Sequence, residues 1–239
     1  MKRFLFVVFF ISTLLTAVLG CQNNNGIKDL KTVEEITAAH PDKVRILFEN
    51  NYVVVLEYKL QPGDKIPLHQ LGNRTIYALT GSEINFHLVQ NDDIKKSAEN
   101  DTYWQEAGVL SPENVSQAEA RLLVVARTEA LLPGFALEDL EQDVSQTSPE
   151  IAKLLLDNDY IRVIEVYLEP GEEIKTHRGI SRVVYSLVPY KIDYVTEETD
   201  VSGQKTFEAG HTHWHQSGSH SLVNIGGTPM HDLIFEFKK

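Results

Sequence analysis

Residues 49–79, ENNYVVVLEYKLQPGDKIPLHQLGNRTIYAL, read almost the same as residues 157–187, DNDYIRVIEVYLEPGEEIKTHRGISRVVYSL. Laid over one another at an offset of 108, the two stretches share 12 of 31 residues without a gap. Among the shared positions are Tyr52/Tyr160, Glu57/Glu165, Pro62-Gly63/Pro170-Gly171, His69/His177, Arg74/Arg182 and Tyr77/Tyr185. A period this long means two copies of a domain, because solenoid units recur every ~20–50 residues. Each copy opens on a β-branched and aromatic run, at 52–60 and 160–168, and each run is stopped by Pro-Gly. Residues 74–79 and 182–187 read as the next strands, and 83–89, 121–126, 190–195, 206–207 and 232–237 as further ones. Helix is expected only at 32–39, 137–142 and 149–156. Many short strands separated by turn signals predict an all-β sandwich or barrel, present twice.

Composition agrees. The chain has 239 residues, 42% of them hydrophobic, enough for two cores without a disulfide or metal staple. Its formal net charge is −12. That balance excludes a nucleic-acid partner, which needs a basic patch to neutralise phosphates. No phosphate-binding glycine loop, serine nucleophile elbow or zinc-protease helix is present.

The one cysteine, Cys21, follows the one long apolar run. Lys2 and Arg3 precede 16 apolar-rich residues at 4–19, too few for the ~20 that span a bilayer. This is the layout of a secretory signal, expected at 1–20. Val18-Leu19-Gly20-Cys21 resembles a bacterial lipobox. That resemblance implies cleavage before Cys21 and its lipidation, and a plain signal peptide or a short anchor is the other reading. A lone cysteine has no disulfide framework to explain it, whereas a lipid anchor explains it directly. Removing 1–20 leaves 20 basic and 34 acidic residues, a net charge of −14. Polar residues from Cys21 to about 36 read as a tether. Gln22, not Asp, follows the cysteine. The expected location is therefore the bacterial cell envelope. The chain would be held there by its lipid, at an outer membrane facing the periplasm or the surface.

The repeated spacing resembles the cupin superfamily, whose domains are double-stranded β-helix jelly rolls. Gly63-x5-His69 and Gly171-x5-His177 match the opening of its first motif, G-x5-H-x-H-x3,4-E-x6-G. His220-x3-Asn224-x-Gly226 resembles its second. The resemblance implies a bicupin: a first barrel at 37–128, a linker at 129–148 and a second barrel at 149–239. It also implies a metal site made by two motif-1 histidines, a glutamate and the motif-2 histidine. Here His177 and His220 match, but Gly179 takes the second histidine's place and Val183 or Val184 the glutamate's. In the first copy only His69 remains, with Leu71 at the second place. Aligning Glu106-Ala107-Gly108 with Glu208-Ala209-Gly210 gives 14 residues to Leu122 against 23 to Leu233. On that alignment the first copy has lost nine residues where its second motif would lie, and it reads as structural.

The second copy carries further histidines. His211, His213 and His215 alternate, so a strand puts them on one face. If that face points inward, His213 and His215 join His177 and His220 as candidate ligands for one divalent metal, Zn, Ni, Cu, Mn or Fe. If it points outward, they are solvated and no metal is implied. His211 reads as a surface residue, and His40 and His231 as incidental. Arg74/Arg182 and Tyr77/Tyr185 recur in both copies and read as structural, the arginines pairing with Glu57/Glu165. Asn224 is expected to order the turn after His220. The functional expectation is a lipoprotein that binds a small molecule or a metal ion in its second barrel, with little or no catalysis. The alternative is a metal-dependent enzyme of dioxygenase or isomerase type using a rearranged histidine site.

Overall fold

The computed structural model describes residues 30–88, 92–197, 199 and 201–238. Cys21, the expected signal and the tether up to residue 29 lie outside the described residues. The first unit contains β1 Val44–Glu49, β2 Val53–Leu60, β3 His69–Leu71, β4 Arg74–Ala78 and β5 Ser82–Leu88. It continues with β6 Asp92–Ser97, β7 Thr102–Gln105, β8 Gly108–Asn114 and β9 Ala120–Arg127. The second contains β10 Ala152–Asp157, β11 Ile161–Leu168, β12 Glu173–Gly179, β13 Arg182–Ser186 and β14 Tyr190–Thr196. Its remaining strands are β15 Val201–Phe207, β16 Thr212–His215, β17 Gly218–Asn224 and β18 Met230–Phe237. The sheets are β1-β2-β9-β4-β7 facing β3-β8-β5-β6, then β10-β11-β18-β13-β16 facing β12-β17-β14-β15. The second order is the first with every strand moved on by nine. This is the expected pair of jelly rolls, all-β with short helices.

The duplication reaches local detail. A β-bulge interrupts β1 between Ile46 and Phe48, and its twin interrupts β10 between Leu154 and Leu156. The Pro-Gly turns need a left-handed residue, and Gly63 and Gly171 supply it with φ of 80° and 87°. Asn224 does order its turn: Nδ2 donates to the carbonyls of Leu168 and Thr228, and Oδ1 accepts from the Gly226 amide. Asn114 repeats those side-chain donations to Leu60 and Ala118.

Helices α1 Val33–Ala39, α2 Leu137–Glu141 and α3 Val144–Thr147 fall where short helices were expected in two cases. A capping box starts α1, with Thr32 and Glu35 each accepting from the other's amide. Ile36 of α1 belongs to the first core and Val144 of α3 to the second. The helix expected at 149–156 is instead strand β10. Its Ala, Lys and Leu residues favour helix locally, but pairing with β11 overrides that weak preference.

The two five-stranded sheets pack back to back. Val53, Val55, Tyr77, Leu123 and Val125 of the first unit meet Ile161, Val163, Val183, Tyr185, Leu233, Phe235 and Phe237 of the second. Trp104 stacks on Tyr160 at 5.2 Å and Trp214 on Tyr52 at 5.5 Å, one contact being the pseudo-symmetric twin of the other. These sheets are therefore covered on both faces, which is why every residue of β4 and β13 is buried.

Candidate functional site

The repeat changes register between its halves. Strands β8 and β17 align at an offset of 110, which puts Leu110 opposite His69 just as the ladder puts His220 opposite His177. The nine-residue loss expected in the first unit is therefore absent. Glu106 aligns with Gln216, not Glu208, because two residues have entered the second unit before β16. Thr102, Trp104, Gly108, Ser111 and Asn114 match Thr212, Trp214, Gly218, Ser221 and Asn224 at this new offset. A search for a second offset would have found the signal.

With that register, the interiors can be compared position by position. In the first barrel Tyr58, Phe86 and Leu110 are fully buried and fill the space between the sheets. Val166, Tyr194 and His220 stand at those places in the second. There a cavity of about 460 Å³ opens between the sheets. Its walls are apolar at Ile174, Ile192, Leu222, Met230 and Ile234. Its polar groups include His177, His213, His215, His220, Arg182, Lys205, Tyr190 and Asp232.

All four expected histidines line this chamber. Their rings form a chain of contacts: His177 to His220 at 4.2 Å between centroids, His220 to His215 at 5.9 Å, and His215 to His213 at 4.8 Å. Alternation along β16 brings His213 and His215 to one face, while His211 is exposed at its edge. Burial opposes protonation and lowers the pKa of His177 to about 4 and that of His213 to about 3. It lowers His215 and His220 further, with the Arg182 charge adding to the effect. All four are neutral at pH 7.

Four of these polar residues, Arg182, Tyr190, Lys205 and Asp232, were not anticipated as site residues. Arg182 does not pair with Glu165, just as Arg74 does not pair with Glu57. Glu57 bonds Arg45 and Arg121 instead, and Glu165 bonds His231. Arg182 turns inward, is 3% exposed, and donates to the Ile180 carbonyl and to Nδ1 of His220 at 3.3 Å. Asp232 is fully enclosed, and burial raises its pKa to about 7 against the bond from Tyr190. The Tyr190 hydroxyl donates to Oδ2 of Asp232 at 2.5 Å, while Oδ1 finds no partner among the described residues. A sequence signal existed for Asp232: Leu122 stands at its place in the first unit, a polar-for-apolar change on a core strand.

No protein-family model and no curated protein matches the chain. Among solved structures it is similar to oxalate decarboxylase of Bacillus subtilis. The pH 4.6 structure aligns at 14% identity over 81% of this chain and 70% of that one, with a TM-score of 0.59. A tryptophan-to-tyrosine variant of the same enzyme aligns at 14% identity over 78% and 69%, with a TM-score of 0.57. The chain has the bicupin fold. A third structure of this decarboxylase, described for its Mn(II) centres, aligns at 14% identity over 81% and 71%, with a TM-score of 0.59. At this identity the likeness establishes the fold and leaves the chemistry to the residues present.

Those residues do not fit the metal that the bicupin fold implies. A Cβ at Gly179 would stand 2.3 Å from Nη1 of Arg182, so a guanidinium lies against the place of the second ligand histidine. Val183 faces the other barrel and Val184 the core, neither of them a donor. Arg182 can only donate, so Nδ1 of His220 accepts, and the neutral ring carries its proton on Nε2. A metal ligand needs that lone pair free. Among the described residues no group of three or more His, Cys, Asp or Glu side chains is gathered to hold a metal ion.

Proposed function

We propose that this bicupin is a binding protein whose second barrel is a chamber for a small organic molecule, with little or no catalysis. The observation that carries the reading is the contrast between two barrels of one topology. The first is filled by Tyr58, Phe86 and Leu110, and the second, with Val166, Tyr194 and His220, encloses about 460 Å³. That volume suits a small ligand, and its apolar walls with a few inward polar groups are what such sites have. The test is Val166→Tyr, which returns the first barrel's ring to the second. Filling a real chamber leaves thermal stability equal or raised and abolishes retention of any co-purifying small molecule in native mass spectrometry. A marked loss of stability would show that there is no room to fill, as overpacking does.

A second reading places a divalent metal in the chamber, for a bicupin enzyme of dioxygenase or isomerase type. Four neutral imidazoles in one ring-to-ring chain favour it, and the Arg182 guanidinium opposes it. Elemental analysis of the full chain decides between them: the binding reading expects well under one Zn, Ni, Cu, Mn or Fe per chain, and a stoichiometric metal overturns it. We also propose that the protein works at the bacterial cell envelope as a lipoprotein anchored through Cys21. What supports this is the signal-like start and the placing of the single cysteine. No helix among the described residues is long and apolar enough to cross a membrane. Cys21→Ala is expected to move the chain from the membrane to the soluble fraction, and a membrane fraction unchanged by it would refute the anchor.

A further inference from the structure

The two barrels hold the same histidine in the same way, and among the described residues only the first gives its second ring nitrogen a hydrogen-bond partner. In the first, His69 donates from Nδ1 to the Pro67 carbonyl at 2.8 Å, so its Nε2 keeps the lone pair. The Tyr58 hydroxyl donates to that nitrogen at 2.9 Å. The phenol ring meets the imidazole edge-on, 6.2 Å between centroids, and is wholly buried. In the second barrel His177 repeats the setting, donating from Nδ1 to the Lys175 carbonyl at 3.0 Å and keeping the lone pair on Nε2. Its ring lines the chamber. The tyrosine's place is Val166. Tyr58 lies opposite Leu122 in its ladder, and Val166 lies opposite Asp232 in the matching one.

The second barrel thus lacks the hydroxyl-bearing ring and holds the acceptor that the ring serves in the first. It holds another acceptor, Asp232, opposite Val166, where the first has Leu122 opposite Tyr58. Asp232 is 1% exposed, borders the chamber, and leaves Oδ1 without a hydrogen-bond partner among the described residues. A buried polar atom left unpaired is costly, so an arrangement of this kind favours a ligand that brings donors. The apolar walls and the shape of the lost side chain select among donors: they suit a flat ring over a sugar.

We propose that the second chamber takes a small phenol, its hydroxyl donating to Nε2 of His177 as Tyr58 donates to His69. The proposal rests on the reading of the second barrel as a binding chamber.

Calorimetric titration of the full chain with 4-methylphenol, toluene and myo-inositol tests it. The expected result is 4-methylphenol binding about tenfold tighter than toluene, the ratio one added hydrogen bond supplies, with inositol not bound. His177→Phe keeps a ring without an acceptor and is expected to bring that ratio close to one. Toluene or inositol binding as tightly as 4-methylphenol overturns the phenol inference and leaves the chamber intact. Failure of all three probes also overturns it, and the stability of Val166→Tyr then says whether the chamber falls with it. A variant in the other barrel gives an independent readout. Tyr58→Val opens matching room beside His69, and 4-methylphenol is expected to raise its melting temperature more than toluene does. Equal effects of the two compounds overturn the template on which the inference stands.

Discussion

At position 179 a single methyl group would stand 2.3 Å from Nη1 and 2.5 Å from Cζ of Arg182. Glycine there is what lets a buried cation lie across the mouth of the histidine set. The cation in turn fixes the tautomer of His220 and helps to keep the neighbouring imidazoles neutral. Gly179→Ala forces the guanidinium away from this seat. It is expected to destabilise the chain by roughly 1–3 kcal/mol, the cost of overpacking, as read by denaturant unfolding. A neutral result would mean that Arg182 has another rotamer of equal quality and that the seat is not specific. Asp232 is the opposite case, a single residue whose charge state sets its worth. Its raised pKa means that the folded state binds a proton more readily than the unfolded chain, so its contribution is present at low pH. That contribution is lost as pH rises from about 4 through about 7. At pH 8 Asp232→Asn removes a buried ionised carboxylate and is expected to be more stable than the parent, by up to about 4 kcal/mol. At pH 4, near the unfolded pKa, the advantage is expected to be nearly gone. An Asn variant equally stable relative to the parent at both pH values would show that Asp232 titrates normally.

At the level of elements, most of the fold is legible from the chain. The Pro-Gly stops and the β-branched runs mark β2 and β11, and the match at an offset of 108 fixes the duplication. What local pattern misplaces is decided by partners distant in sequence. Strand β10 is built from helix-favouring residues and exists because β11 offers it a ladder. The second motif of the first barrel is hidden because the register moves from 108 to 110 part-way through. The candidate site divides in the same manner. His177, His213, His215 and His220 are legible because strand alternation and motif spacing are local rules. Arg182, Tyr190 and Asp232 are not, since only the closed barrel shows that the arginine turns inward and that Tyr190 reaches Asp232 on another strand. Glu57 and Glu165 are read correctly as paired and wrongly as to partner. The ladder sets β2 beside β9 and β11 beside β18, which brings up Arg121 and His231 instead.

Over the whole molecule, the titrating groups of the second chamber pull in opposite directions. His177, His213, His215 and His220 have pKa values lowered by burial, so below about 6.5 the unfolded chain binds protons that the folded chain refuses. Their stabilising share is whole above that pH and is lost as pH falls towards about 4. Asp232 in the chamber and Glu236 outside its lining, both raised by burial, work the other way over the same range. Four groups outweigh two. Thermal stability is therefore expected to fall steadily from pH 6.5 to pH 4.5, each histidine contributing at most about 1.4 kcal/mol per pH unit. A flat profile across that range would mean that the chamber admits water freely.

The back-to-back seam has a consequence for how such asymmetry can arise. Tyr52 with Trp214 and Trp104 with Tyr160 are the reciprocal contacts that two identical subunits make across a twofold axis. A true homodimer is bound by its single gene to alter both halves at once, so hollowing one barrel would hollow the other. Fusion of the halves into one polypeptide lifts that constraint. One half can remain solid and carry the interface, while its sibling gives up core volume and tolerates the loss.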